Sequence, residues 1–241
     1  MTNTLSDYSM GLVLLSYIVS VIGSLAALYV ATNVRQKDGK SHMGWLAVGA
    51  IMLGGCAIWS MHFIGMVAYE PGVPMFFDTV ITGVSLIIPI AFTFIGLTIA
   101  FRGANRIAVI LLAGLIMGVG VASMHYTGMA AIRIEAYLSY DPVLVAISVV
   151  IAVVASAAAL LIVVRARGVL RYASALVMGL AVCGMHYTGM AAMSLEPANV
   201  DVDFFTQALP RDTMLFFTVL AFLITCVVGF GSGALRRLQT A

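Results

Sequence analysis

The chain has 241 residues, of which 62% are hydrophobic and only 9% charged, with a formal net charge of +2 and a mean hydropathy of +1.10. Soluble domains carry about 25% charged residues, so a fold with a water-facing polar surface is excluded. There is no long basic run and no interleaving of basic with aromatic residues, which argues against nucleic acid as a partner.

The N-terminal stretch MTNTLSDYSM lacks a basic n-region, and the apolar run behind it is too long for a cleaved signal. It reads as a permanent helix. Six more apolar runs follow, giving spans of approximately 10–31, 44–69, 79–101, 106–133, 142–164, 169–193 and 213–235. Each is long enough to cross a hydrocarbon core of about 30 Å. Each must be helical, because lipid supplies no partner for backbone N–H and C=O groups. The predicted fold class is therefore an all-α membrane protein with seven transmembrane helices, the whole of 1–241 forming one domain.

The breaks between spans are polarised. Arg35, Lys37 and Lys40, then Arg102 and Arg106, then Arg165, Arg167 and Arg171, then Arg236 and Arg237 all fall on one side. Basic loops face the cytoplasm, so the N-terminus is expected outside and the C-terminus inside. Asp38 is the one acidic residue on the basic side; the other nine lie opposite. An acidic mouth attracts cations weakly, although loop solubility alone accounts for it. His42, beside Lys40, reads as a solvated loop residue. Cys56, Cys183 and Cys226 lie inside apolar runs, so no disulfide framework is indicated.

The second, fourth and sixth spans contain related stretches: Trp59-Ser-Met-His-Phe-Ile-Gly-Met66, Ala122-Ser-Met-His-Tyr-Thr-Gly-Met129 and Cys183-Gly-Met-His-Tyr-Thr-Gly-Met190. Self-similarity at a fixed period signals a repeat architecture. The repeats run approximately 10–70, 79–135 and 142–196, with the helix at 213–235 outside them. Each period holds two helices, so the copies cross the membrane in the same direction and are expected around a pseudo-threefold axis. On each motif helix the histidine shares a face with Gly55, Gly118 or Gly179 at −7, with Gly65, Gly128 or Gly189 at +3, and with Met66, Met129 or Met190 at +4. Glycines allow close helix approach in lipid, and a lipid-facing histidine is costly, so that stripe should look inward. His62, His125 and His186 should meet about two turns below the outer rim, within reach of the outside.

Imidazole suits copper, zinc or iron, and thioether sulfur selects Cu(I). Three histidines alone would also fit zinc, so the methionines put copper first. The metal-ligand candidates are His62, His125, His186, Met66, Met129 and Met190. Met61, Met124 and Met185 point about 100° away from their histidines and rank lower. Tyr126 and Tyr187 can orient the ligands by hydrogen bonding; Phe63 and Ile64 deny the first copy the same hydroxyls. A three-histidine copper centre with an open position would take a small diatomic gas.

The triplicated stretch, Met124–Thr127 and Met185–Thr188 reading Met-His-Tyr-Thr in full, resembles the MHYT domain of bacterial integral membrane sensors. The resemblance covers nearly the whole chain. It implies an inner-membrane sensory module with its motif near the periplasmic face, binding copper and sensing oxygen, carbon monoxide, nitric oxide, or redox or copper status. Carried over by position, the motif falls on Met61, His62 and Met66, on Met124, His125, Tyr126 and Met129, and on Met185, His186, Tyr187 and Met190. Relatives commonly continue into cytoplasmic cyclic-di-GMP or histidine-kinase output domains. This chain stops at Ala241, which implies output through a separate partner or from a longer parent protein.

Two competing readings use the same histidines. A copper or cation transporter needs polar groups at successive depths, and the inner halves of these spans have almost none. A haem protein or oxidase-like enzyme needs room for a porphyrin, which glycine-led packing denies. No nucleophile–base pair or phosphate loop suggests catalysis, so the chain reads as a non-enzyme. Gly229 and Gly233 match a small-xxx-small pattern that would serve a homodimer.

Overall fold

The structure, a computed structural model, describes residues 7–34, 42–198 and 207–240. The loop charges Arg35, Lys37, Asp38 and Lys40, the acidic Asp201 and Asp203, and the side chain of Arg237 lie outside the described residues. Among the described residues, seven helices are long and apolar enough to cross a membrane. They are α1 (Met10–Ala31), α2 (Met43–Ala68), α3 (Thr79–Arg102), α4 (Ile107–Ala130), α5 (Pro142–Arg165), α6 (Gly168–Ala191) and α7 (Arg211–Thr240). All seven correspond to expected spans, with end points shifted by a few residues except at the C-terminus of α7.

Helices α1 to α6 follow one another around a ring, each packed on the next, and α6 closes it against α1. Helix α7 packs outside the ring, on α1 and α2. Van der Waals packing, not a hydrophobic drive, must hold helices together in lipid, and close backbone approach supplies it here. A Cβ added to Gly54 of α2 would lie 2.6 Å from the Pro89 carbonyl oxygen of α3, and one on Gly23 of α1 would lie 2.5 Å from the Ala57 nitrogen of α2. Helix α2 is accordingly the most enclosed span. The outward faces carry exposed apolar residues such as Ile87, Val150, Leu180 and Val227.

Two features depart from the sequence reading. The Gly229–Gly233 face is occupied within the chain, by Met52 of α2 and Tyr29 of α1. Its use for a homodimer is therefore not supported by free space. The middle of α2, Ile51–Ser60, is wound as a π-helix that ends immediately before Met61. There the Ser60 hydroxyl donates to the Gly55 carbonyl, five residues back, at 3.1 Å. Such segments occur often at functional sites.

On the acidic side the breaks are not plain loops. Strands β1 (Phe76–Asp78), β2 (Ile132–Arg133) and β5 (Ala208–Pro210) form an antiparallel sheet in the order β2–β1–β5, and β3 (Ala136–Tyr140) pairs with β4 (Met193–Pro197). Aspartates start the helices that leave this layer. Asp78 accepts from the N–H groups of Val80 and Ile81, and Asp141 from those of Val143 and Leu144, satisfying donors that a helix start leaves open. Asp78 also pairs with Arg133 at 2.6 Å, and Glu70 with Arg211 at 3.1 Å. The layer thereby ties one acidic-side connection to the next.

Candidate metal centre

The three histidines come from α2, α4 and α6, five or six residues before those helices end, which is about 8–9 Å of rise. They meet at one point. Nδ1 of His62 lies 3.0 Å from Nδ1 of His186 and 3.1 Å from Nδ1 of His125. One candidate ligand atom from each lies within 4.8 Å of the others, and all three residues are fully buried.

The glycines at +3 make the convergence achievable, in a cyclic order. The His62 Nε2 edge sits where a Cβ on Gly128 would be, that of His125 sits at Gly189, and that of His186 sits at Gly65. Each ring thus enters a notch in the next motif helix. None of the three Nε2 atoms has a hydrogen-bond partner among the described residues.

This arrangement constrains the protons. A neutral imidazole has one N–H and one lone pair. With the hydrogens on Nε2, the Nδ1 lone pair of His62 faces those of His125 and His186 across about 3 Å. With hydrogens on Nδ1 instead, they crowd into the same small space. A bound cation, or a mixed set of tautomers in which one Nδ1–H donates to a neighbouring Nδ1, relieves this contact. Nitrogens about 2.0–2.1 Å from a common ion would stand roughly 3.3–3.6 Å apart. The two short separations need to open by only a few tenths of an ångström, so the residues fit a metal ion.

The other candidates lie close by in the fold. Met61, Met66, Met124, Met129, Met185 and Met190 are all buried, none more than 3% exposed. Met66, Met129 and Met190 sit one turn beyond the histidines toward the acidic side. Met185 lines an apolar cavity of ≈30 Å³ on the opposite side of the cluster. Ile58, Val121 and Val182, each four residues before a histidine, share that lining. The space lies one helical turn below the rings.

The tyrosines do something other than expected. Tyr126 and Tyr187 stand edge-on to His125 and His186, with ring centroids 4.8 Å apart in both cases. Their hydroxyls meet Ser148 (2.7 Å) and Ser16 (3.0 Å) on the next helix of the ring, not the imidazoles. Ser148 and Ser16 donate their own protons to the carbonyls of Val145 and Val13, so the tyrosines are the donors. In the first copy, where Phe63 has no hydroxyl, the Trp59 indole N–H donates to Ser85, which in turn donates to Thr82. These serines are the seventh residues of α1, α3 and α5. That shared register was the signal in the sequence, and it was missed.

A second missed signal is an aromatic residue two positions before each of the same helices. Tyr8 packs on Tyr187 (5.8 Å), Phe77 on Phe63 (5.9 Å) and Tyr140 on Tyr126 (6.2 Å). With the strands, these rings close the acidic end of the cluster. The expected opening toward that side is therefore replaced by a covered site. Burial pushes the Tyr140 phenol above its ordinary pKa, with the nearby Tyr126 adding to the shift.

The family described as "Bacterial signalling protein N terminal repeat", MHYT, matches three times, at residues 55–113, 118–175 and 179–241. The chain is 40% identical over 194 residues to the bifunctional diguanylate cyclase/cyclic di-GMP phosphodiesterase MucR of Pseudomonas aeruginosa, covering 78% of this chain and 28% of that protein. It is 37% identical over 205 residues to the cyclic di-GMP phosphodiesterase NbdA of the same organism, covering 81% and 26%. It is 29% identical over 242 residues to the signaling protein YkoW of Bacillus subtilis, covering 95% and 30%. The chain thus spans less than a third of each of these relatives. No solved structure matches it.

Proposed function

Because this chain belongs to the MHYT family of bacterial signalling proteins, we propose that it is a sensory module in which three histidines from three repeats hold one copper ion. It is a multi-pass protein of the bacterial cytoplasmic membrane. We take the whole chain as one seven-helix domain, with its repeats around a pseudo-threefold axis, the arginine-rich face cytoplasmic and the N-terminus outside. The cyclic order in which each histidine enters the next motif helix supports the axis. The placement of Arg102, Arg106, Arg165, Arg167 and Arg171 supports the orientation.

The observation that carries the metal reading is the meeting of three Nδ1 atoms in a fully buried site. His62, His125 and His186 would hold the ion, and the buried thioethers of Met66, Met129 and Met190 favour copper over zinc. Bound there, copper supplies an affinity for a diatomic gas. The protein's own part is to hold the rings through the glycine notches, keep water out with the aromatic cover, and leave an apolar space of ≈30 Å³ beneath them. Dry apolar cavities of this kind accept small apolar molecules.

Nothing in this reading makes the chain an enzyme. Its output goes to a cytoplasmic domain or partner, a role supported by relatives named for cyclic di-GMP synthesis and breakdown. Transport is disfavoured by Ile58, Val121 and Val182, which set an apolar layer below the rings where a cation path would need polar groups. Haem is disfavoured because three ring nitrogens this close leave no room for a porphyrin. Infrared spectroscopy of reduced, copper-loaded protein under carbon monoxide tests the sensing role. A bound-gas stretching band that disappears in His125→Ala is expected; full copper loading with no such band would overturn the gas assignment.

A further inference from the structure

A second charged feature lies at the far end of the ring from the histidines and has no part in holding them. The ends of α1, α3 and α5 come together there around a cleft of ≈540 Å³. Arg165, Arg167 and Arg171 line it, together with Asn105 and the aromatic Phe101. Its volume falls within the roughly 300–1,000 Å³ typical of small-molecule sites.

Among the described residues, no acidic side chain pairs with the arginines of this cleft. The two ion pairs among the described residues both lie on the acidic side of the protein. Arg165 reaches the Ala104 carbonyl at 3.5 Å, and Arg171 donates through Nη2 to the Val163 carbonyl at 3.1 Å. The Nε of Arg171 is buried without a hydrogen-bond partner among the described residues. Arg167 makes no side-chain hydrogen bond or ion pair among the described residues. A buried guanidinium donor left open costs free energy unless something accepts from it.

We propose that this cleft binds a phosphate-bearing anion. Guanidinium presents planar, forked donors that match phosphate oxygens in pairs, and three such groups around one cleft suit a multiply charged tetrahedral oxyanion. The ligand is either the headgroup phosphate of an anionic lipid or a soluble phosphate compound, since the cleft opens where the helices leave the membrane. On the basic side, occupancy would brace the ends of three helices against one another. It would give the signalling face an input separate from the buried histidines.

The test uses the full chain in phosphatidylcholine nanodiscs, titrated with inorganic pyrophosphate at constant ionic strength. Arg167→Gln is compared with Arg106→Gln, which removes the same charge from a neighbouring hollow. Arg167 makes no side-chain hydrogen bond or ion pair among the described residues, so its replacement is expected to leave folding intact. Saturable binding that weakens about tenfold or more in Arg167→Gln, and less than threefold in Arg106→Gln, identifies a soluble-phosphate site. No pyrophosphate binding, but phosphatidylglycerol retained in native mass spectrometry and lost in Arg167→Gln alone, identifies a lipid headgroup site. Equal weakening in both variants, or no binding of either probe, overturns the proposal.

Discussion

The indole N–H of Trp59 donates to the hydroxyl oxygen of Ser85 at 3.1 Å, making in the first repeat the bond that Tyr126 and Tyr187 make in the other two. A position that differs in sequence is thus matched in hydrogen bonding, by a side chain one helical turn earlier. Phe63 fills the remaining space, 4.8 Å from Trp59 and fully buried.

Trp59→Phe is expected to lower stability by about 1–2 kcal/mol through loss of that bond. Phe63→Tyr, although it restores the motif of the other repeats, is expected to cost about 1–3 kcal/mol. Its added hydroxyl would enter a buried site whose serine is already engaged. Thermal unfolding in detergent measures both. A stabilised Phe63→Tyr would show that Trp59 and tyrosine are not exchangeable partners.

The glycine notches give a paired comparison within one motif. Gly128→Ala puts a Cβ onto Nε2 of His62 and should cost about 1–3 kcal/mol as an overpacked site. Gly184→Ala lies two residues before His186, meets nothing within 4 Å, and should gain up to about 1 kcal/mol from helix propensity. If both substitutions behave alike in thermal unfolding, the notch has no special role.

Asp78 links stability to pH. The hydrogen bond from Arg133, reinforced by the N–H groups of Ile81 and Val80, holds its carboxyl below the ordinary aspartate value despite burial. Its folded pKa is therefore below its unfolded one, about 3.9, and its contribution is present above that value and drains away as pH falls through the folded one. Arg133 is 43% exposed, so solvent screens the pair. Asp78→Asn, which keeps a capping oxygen, should cost only about 0.5–1 kcal/mol near neutrality. The gap between variant and parent should close in acid; a gap that widens there contradicts the assignment.

Much of the fold is legible in the sequence. Hydropathy alone separates the seven spans, since lipid leaves few alternatives to an apolar helix. The inward stripe followed from placing glycine, histidine, glycine and methionine on one face. What escaped is set by tertiary context. Strand segments as short as Ile132–Arg133 have no local signature and form only because neighbouring ends meet. Ser16, Ser85 and Ser148 are ordinary small residues until a tyrosine or tryptophan on the adjacent helix supplies a donor. The site was expected to be open because its depth is shallow, but Tyr8 covers it from the N-terminal stretch, and Phe77 and Tyr140 from connections that read as loops.

The thioethers decide which metal is preferred. Met66→Leu, Met129→Leu and Met190→Leu conserve side-chain volume and should each cost less than about 1.5 kcal/mol. If these sulfurs favour copper, the triple variant should lose Cu(I) preference over Zn(II) in competition with a chelator, while binding zinc as before. An unchanged ratio would confine the ligand set to the imidazoles.

Copper content per chain, measured by mass spectrometry on protein purified and reloaded under reducing conditions, tests the central claim most directly. The wild type should carry about one copper, each of His62→Ala, His125→Ala and His186→Ala should bind at least tenfold more weakly, and His125→Ala with His186→Ala together should carry none. Full copper retention in that double variant, or none in the wild type after reloading, would contradict the account.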